Sequence, residues 1–365
     1  MVGIPVDGPA RWMSQTTSGS SSCIASPIVS SFSTIPGPDE IAAVGAAVGA
    51  SFGGALGVTT SAGPGVVLKA ETVGLAIMLE LPLVICDIQR AGPSTGMPTK
   101  PEQTDLLMVL FGRNGESPVP VVAAFSPSDC FDAAIEACRI ALKYRTPVYL
   151  LSDAYLANGS EPWLLPDVET LPDISTSFAA APNADGEPFQ PYLRDEQTLA
   201  RPWALPGTKG LEHRVGGLEK ADRTGNISYD PDNHDLMSRL RAQKVAGIAA
   251  DIPELAVDDP DGDARVLVLG WGGTYGPIAA GVRRARANGR KVAHAHLRHL
   301  NPFPRNTGEV LRRYEKVLVP EMNLGQLLKL VRAEFLVDAA GYNRVRGVPL
   351  RAAEIAEAIE AMVDA

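Results

Sequence analysis

Hydrophobic positions along this chain switch repeatedly between two patterns. Short apolar runs rich in β-branched residues alternate with longer stretches in which apolar side chains recur every three or four positions. The first pattern suits strands buried on both faces, the second helices with one apolar face. A helix is expected to open at Pro38-Asp39-Glu40, where Pro fits the first turn and two acids complement the positive helix end. A strand over Leu56–Thr60 follows, then the turn Ser61-Ala62-Gly63-Pro64-Gly65 and a helix over Val66–Glu80. Further along, the pattern predicts strand Leu81–Ile88, helix Glu102–Phe111, strand Val119–Phe125, helix Ser128–Tyr144 and strand Pro147–Ser152. A second series starts at Arg265. It comprises a strand, a glycine-rich turn over Gly270–Gly276, helix Pro277–Asn288, strands Lys291–Leu297 and Tyr314–Val319, and a closing helix Ala352–Val363. Alternation of strand and helix predicts an α/β fold with parallel sheets covered on both faces.

Two stretches break the rhythm. Residues 1–37 hold no period for long, and Ser14–Ser33 is Ser/Thr-rich without a charged side chain, so a disordered or atypical start is expected. Leu164–Asp263 is rich in Pro, Asp and Gly and carries one convincing helix around His234–Ala250, which reads as a long irregular connection. The expected organisation is therefore 1–37, an α/β unit over 38–163, a connection over 164–263 and a second α/β unit over 264–365. Ile41–Val58 has no charged residue and contains Gly45-x-x-x-Gly49, as a membrane span might. It is built mostly of Ala and Gly, whose transfer into lipid gains little, so a closely packed helix is the preferred reading.

Composition narrows the class of partner. The chain is 45% hydrophobic and 21% charged with a net charge of -9, ordinary for a soluble protein and unsuited to nucleic acid or an anionic membrane. Cys23, Cys86, Cys130 and Cys138 make no CxxC pair and no metal-ligand spacing. Cys86 sits in an apolar run and reads as core, and a reducing cytoplasm is the expected compartment. No basic segment followed by an apolar core marks a secretory leader.

Several residues could carry chemistry. Arg90 closes a predicted strand, the end at which parallel sheets bind ligands, and a guanidinium there can grip a carboxylate with two parallel bonds. Ser94, Thr95, Thr99 and Lys100 follow in GPSTGMPTK, and Thr95 or Lys100 could meet a second carboxylate. The turn Ser61–Gly65 has the look of a phosphate cradle but lacks the Lys-Ser/Thr of a P-loop. Gly270-Trp271-Gly272-Gly273-Thr274-Tyr275-Gly276 tempts a dinucleotide reading, yet its last glycine falls one place late for G-x-G-x-x-G. His294, His296 and His299 have no acid or thiol nearby in sequence, so strand-surface histidines are favoured over a metal site. Glu40, on its own, reads as a helix-end acid.

Taken together, SAGPG, KAETVGLA, DIQRAGPSTGMPTKPEQTDL and FGRNGESPVP resemble the α subunit of 2-oxoacid:ferredoxin oxidoreductases, in their 2-oxoglutarate-using branch. The likeness runs from about Asp39 onward and takes in LSDAYLANGSEPW, GLEHRVGGLEK and TGNISYDPDNHDLM. It implies two three-layer parallel-sheet domains, a thiamine diphosphate pyrimidine-binding-like domain and then a transketolase C-terminal-like domain. By the same resemblance Glu40 matches the acid that activates thiamine diphosphate, and Arg90 the residue that positions the 2-oxoacid. Thr60, Ser61 and Gly63 would line the cofactor pocket, with Thr95 and Lys100 toward the substrate. A β subunit is implied to hold the diphosphate with Mg²⁺ and the iron–sulfur cluster, with coenzyme A as acyl acceptor and ferredoxin as electron acceptor. The family's opening strand and Gly-Tyr-Pro-Ile-Thr-Pro-type turn have no counterpart before Pro38, so a truncated or altered start with weak cofactor binding is expected. A non-catalytic remnant of such a subunit and a nucleotide-binding α/β protein are the rival readings.

Overall fold

The computed structural model describes residues 39–183 and 187–364; the expectation for 1–37 and the thiol of Cys23 lie outside them. The first α/β series forms as the hydrophobic pattern predicts. Helix α1 (Glu40–Phe52) leads into strand β1 (Gly57–Ser61), helices α2 (Gly63–Leu68) and α3 (Ala70–Leu79), and strand β2 (Leu83–Gln89). The single helix expected over Val66–Glu80 is thus divided at Lys69, whose side chain turns inward instead of following the helix surface. Helix α4 (Leu106–Phe111) starts four residues later than expected, because Gln103 and Thr104 are hydrogen-bonded to Met322, Asn323 and Gln326 instead. Strand β3 (Val121–Ala123), helix α5 (Asp129–Tyr144), strand β4 (Pro147–Asp153) and the short helix α6 (Ala154–Asn158) complete the unit. Between α6 and the second unit the described residues are largely irregular around helix α7 (Pro231–Gly247).

The second unit runs from strand β5 (Val257–Asp258) through β6 (Val266–Trp271), helix α8 (Tyr275–Ala287), β7 (Val292–Leu297), β8 (His299–Asn301), helix α9 (Thr307–Arg312), β9 (Lys316–Glu321), helix α10 (Gln326–Phe335), β10 (Ala339–Asn343) and helix α11 (Ala352–Asp364). Five-stranded sheets result, ordered β1-β2-β4-β3-β8 and β10-β9-β6-β7-β5. Each is parallel except for one antiparallel edge strand, β8 in the first and β5 in the second. The expected two-sheet α/β fold is present, with that addition. The sequence pattern missed α9, α10, β10 and β8, which crosses over to pair with β3 of the first sheet.

One apolar cluster joins the sheets. It takes alternate residues of β2–β4, the inner faces of α1, α3 and α4, and the inner residues of β6, β7, β9 and α10. The outer face of the first sheet is covered by α5 and that of the second by α8 and α11. A polar seam closes this shared core where the strands end. Gln103 Nε2 donates to the Trp271 carbonyl at 2.7 Å, Met322 N–H donates to Gln103 Oε1 at 3.1 Å, and Asn323 Nδ2 donates to the Gln103 carbonyl at 2.6 Å. Asp153, at the end of β4, accepts N–H groups from Tyr155 and Leu156 and from Gly273 of the opposite unit. This explains the glycine-rich turn: a Cβ on Gly272 would stand 2.9 Å from Gln103 Nε2, and one on Gly273 would collide with the Asp153 carboxylate. A dinucleotide has no approach to a turn so filled. Gly273→Ala is expected to cost about 1–3 kcal/mol of stability through that overpacking, readable by chemical denaturation; an unchanged unfolding midpoint would show that the seam yields.

A second buried polar group anchors the long connection. Glu80, in the left-handed position that caps α3, accepts Arg194 Nη2 at 2.5 Å and Arg194 Nη1 at 2.6 Å, and also binds the Lys244 ammonium of α7. All three side chains are buried. Among the described residues no helix is long and apolar enough to cross a membrane; the uncharged Ile41–Val58 stretch is α1 and an edge strand.

Candidate functional site

The C-terminal ends of β1 and β2 lie side by side, with Ser61 in register with Asp87. Alternation along these strands puts Thr59 and Ser61 on the face of Ile85 and Asp87, and Thr60 on the face of Cys86. The Ser61–Gly65 turn leaves β1 here and starts α2. Gly63 and Gly65 are both buried, and neither could carry a side chain. A Cβ on Gly65 would lie 2.6 Å from Glu40 Cγ and 2.9 Å from Glu40 Oε1. A Cβ on Gly63 would lie 2.7 Å from Asp105 Oδ2. The turn is therefore gripped between two carboxyl groups, which is why it needs glycine at both places.

Glu40 belongs to the first turn of α1, yet it does not cap the helix. Asp39 does so, its Oδ1 accepting the Ala42 N–H at 2.8 Å. The half-buried Glu40 side chain extends instead over Gly65 and the Ser61 hydroxyl. Its nearby charged neighbour is Lys69, 1% exposed, whose ammonium donates to Thr59 Oγ1 at 2.7 Å. Burial pulls the Lys69 pKa down, and the Glu40 carboxylate pulls it back up. A lysine kept out of water with a neutral hydroxyl as acceptor draws its stabilisation from an anion close by. Sequence reading passed over Lys69 because nothing in a helical stretch marks the one position where the helix breaks and its side chain turns in.

Arg90 follows β2 directly and is half-buried. Its Nε is shielded from water and has no hydrogen-bond partner among the described residues. The residues after it form a compact loop, closed by the Ala91 N–H donating to the Lys100 carbonyl at 2.8 Å. Thr95 and Lys100 are exposed on that loop. Lys100 and Met97 brace it against the second unit, since a Cβ on Gly347 would meet Met97 Cε at 2.6 Å and Lys100 Cβ at 3.1 Å. Of the residues expected to share a site, Glu40, Ser61 and Gly63 are brought together at one turn and Arg90 stands at the same end of the neighbouring strand. Thr60 is exposed and faces away from Glu40.

The histidines are not on a strand surface. His294 and His299 are buried and His296 half-buried; His294 and His296 pack with Tyr275, and His296 also meets the Phe125 ring of the first unit. Burial pushes His294 down to about 4 and His296 to about 3, so both are neutral at pH 7. His299 Nε2 reaches Glu136 Oε1 at 2.9 Å and ties β8 to α5. Among the described residues no three His, Cys, Asp or Glu side chains are grouped as metal ligands. Cys86, Cys130 and Cys138 pack against the core under α5, and burial raises the Cys86 thiol to about 12 and that of Cys138 to about 11.

Comparison with known proteins gives two family matches. Residues 13–232 match the thiamine diphosphate-binding domain of pyruvate flavodoxin/ferredoxin oxidoreductases, and residues 264–355 match core domain II of pyruvate:ferredoxin oxidoreductase. The first match begins upstream of Asp39, so the likeness extends further toward the start than the motifs indicate. The 2-oxoglutarate oxidoreductase subunit KorA of Mycobacterium tuberculosis is 60% identical over 328 residues, 90% of this chain and 49% of that protein. The 2-oxoglutarate synthase subunit KorA of Methanothermobacter marburgensis is 32% identical, covering 87% of this chain and 82% of its own length. Among solved structures, the 2-oxoglutarate:ferredoxin oxidoreductase of Magnetococcus marinus, with 2-oxoglutarate, coenzyme A and succinyl-CoA bound, superimposes with a TM-score of 0.81 at 33% identity. It covers 89% of this chain, which spans 56% of that one. The chain thus spans about half the length of several relatives it matches.

Proposed function

Because the chain belongs to the pyruvate flavodoxin/ferredoxin oxidoreductase family, we propose that it acts as the α subunit of a 2-oxoglutarate:ferredoxin oxidoreductase. The reaction is the coenzyme A-dependent oxidative decarboxylation of 2-oxoglutarate to succinyl-CoA, with two electrons leaving singly to ferredoxin. The observation that carries this reading is the direction of Glu40. A helix-end acid has no reason to leave capping to its neighbour and lie across a glycine turn; a cofactor-activating carboxylate has one.

The described residues suit the pyrimidine half of thiamine diphosphate. The Ser61–Gly65 turn offers backbone that approaches closely, and Glu40 offers a carboxylate at its rim. When bound there, the cofactor supplies a nucleophilic carbon for the 2-oxo carbonyl. The role of Glu40 is to hold or release a proton at its carboxylate, with Lys69 keeping a positive charge nearby. Ser61 and Gly63 line the wall, and Thr60 is assigned no direct part. Arg90, whose Nε has no partner among the described residues, would grip the C1 carboxylate of the 2-oxoacid. Thr95 or Lys100 would meet the distal carboxylate from the exposed loop.

The remaining groups are assigned to a β subunit: Mg²⁺ with the diphosphate, and the iron–sulfur cluster. Cluster ligation takes converging thiolates, whereas Cys86, Cys130 and Cys138 pack against the core with raised pKa values. A cytoplasmic setting fits thiols of this kind.

The test is reduction of a low-potential viologen dye by this chain purified with its β subunit, thiamine diphosphate and Mg²⁺. Activity that requires both 2-oxoglutarate and coenzyme A supports the proposal. A stable, cofactor-free and inactive complex would instead mark a non-catalytic remnant. In the same assay Arg90→Lys is expected to raise KM for 2-oxoglutarate about ten- to a hundredfold, because a point charge replaces a two-pronged donor. An unchanged KM would remove Arg90 from the substrate site.

A further inference from the structure

One short segment holds the chain on both sides of Arg90. Gln89, the residue before it, is buried; its Oε1 accepts the Asp105 N–H at 3.1 Å and its Nε2 donates to the Ser152 carbonyl at 3.1 Å. Two places after Arg90, the Gly92 N–H donates to Glu102 Oε2 at 3.3 Å. The loop beyond closes on itself, with the Met97 N–H donating to the Ala91 carbonyl at 2.9 Å and the Lys100 N–H to the Met97 carbonyl at 3.1 Å. Residues 102 and 105 therefore grip the flanks of Arg90, while the two residues between them bond to the second unit. Gln103 is fully buried, and besides its side-chain bonds to Trp271 and Met322 its N–H donates to the Met322 carbonyl at 3.3 Å. Its own carbonyl accepts Asn323 Nδ2. The Thr104 carbonyl accepts Gln326 Nε2 at 2.7 Å, and Gln326 Oε1 accepts the Leu107 N–H at 2.9 Å.

We infer that Glu102–Asp105 is a strut through which the second α/β unit positions Arg90, with Gln103 as the positioning residue. The inference rests on the reading of Arg90 as the grip on the 2-oxoacid carboxylate. A two-pronged contact between guanidinium and carboxylate needs a fixed direction, and a misplacement of about 1 Å in a substrate-positioning group can cost about 10²-fold in rate. Arg90 stands just past the end of β2, so the ladder of the first sheet does not fix it. Its Nε has no partner among the described residues, so that end of the side chain is not anchored either. What fixes the backbone around it is the strut, and what fixes the middle of the strut is Trp271, Met322, Asn323 and Gln326 of the second unit. The second unit thus takes part in substrate binding without placing a residue on the substrate.

Two variants test this. Gln103→Met keeps the length of the side chain and removes both of its bonds; Gln326→Met removes the other anchor at a half-buried position. In the full chain without ligands, amide exchange at Ala91, Gly92, Met97 and Lys100 should rise about tenfold in Gln103→Met and by a smaller factor in Gln326→Met. The amides of β4 serve as the unchanged reference. In the complex with the β subunit, Gln103→Met should raise KM for 2-oxoglutarate about tenfold, with kcat and half-saturation by thiamine diphosphate held within about twofold. Added to Arg90→Lys, it should raise KM little further, because both changes act on one contact. Loop exchange equal to wild type in both variants would overturn the strut. So would a fall in kcat as large as the rise in KM, or a KM effect that multiplies fully with that of Arg90→Lys. If the wild-type complex does not turn over 2-oxoglutarate, the substrate reading of Arg90 falls, and the exchange data still decide whether the second unit holds the loop.

Discussion

Replacing Glu40 by Gln is expected to slow 2-oxoglutarate- and coenzyme A-dependent dye reduction by about 10²- to 10⁴-fold, the usual contribution of a positioned acid–base group. The amide keeps the size and reach of the side chain over Gly65 but can neither take up nor carry the proton. The same change should barely touch stability. A lone acid in a first helical turn is worth about 0.3–1 kcal/mol, and the cap of α1 is supplied by Asp39. Asp39→Ala is the control with the opposite signature: a loss of about 1 kcal/mol from the missing cap, with turnover retained. Unchanged turnover in Glu40→Gln, or equal turnover losses in both variants, would return Glu40 to the ranks of helix-end acids.

Removing the carboxylate of Glu80 should cost the fold about 3–5 kcal/mol, because it strands two buried cations. Arg194 and Lys244 lie 50 residues apart in the long connection, so Glu80 is one point at which residues 164–263 are pinned to the first unit. Burial opposes charge on Glu80, but the two cations together outweigh it and hold the carboxyl down at about 2. Burial draws Lys244 the other way, to about 8, still protonated at neutral pH; the second cation, Arg194, is what tips the site toward charge on Glu80. The sign of the pH dependence follows. A carboxyl depressed on folding contributes fully above its unfolded pKa of about 4.5, and that stability is lost as pH falls from there toward 2. Denaturation midpoints of wild type should drop over this window, and those of Glu80→Gln should drop less. Adding Lys244→Met to Glu80→Ala should restore part of the loss, since one unpaired charge disappears. Parallel pH curves for wild type and Glu80→Gln would show that the triad contributes no charge-dependent stability.

Elements that bury an apolar face locally were legible in the sequence. The strands β1, β2, β4, β6 and β7 and the helices α1, α5, α8 and α11 lie where periodicity put them, because their pattern is long enough to fix both type and burial. Elements whose partners are remote were not. The three residues of β8 are an edge strand only because β3 of the other unit offers its free side. Glu102–Asp105 look helical by composition, yet the hydrogen bonds that Gln103 and Thr104 make with Trp271, Met322, Asn323 and Gln326 outweigh one more helical turn. The histidines read as surface residues because alternation assigns a face without saying what covers it; here Tyr275 and Phe125 do.

The candidate site divides in the same way. The family motifs named Glu40, Arg90, Ser61 and Gly63 from residue identity and order. Lys69 and Asp105 fall within the matched motifs, but residue identity and order gave them no role, and Thr60, which the resemblance put on the cofactor wall, faces away from Glu40. The sequence by itself determined the α/β alternation and the family, because apolar periodicity and glycine-rich turns are properties of neighbouring residues. Only the tertiary structure decided that two sheets share one core, that Asp39 frees Glu40 from capping, and that a buried lysine and the Asp105 carboxyl flank the turn. Those outcomes depend on what lies within a few ångströms of a side chain after folding, and the residues that meet there come from segments far apart in the chain.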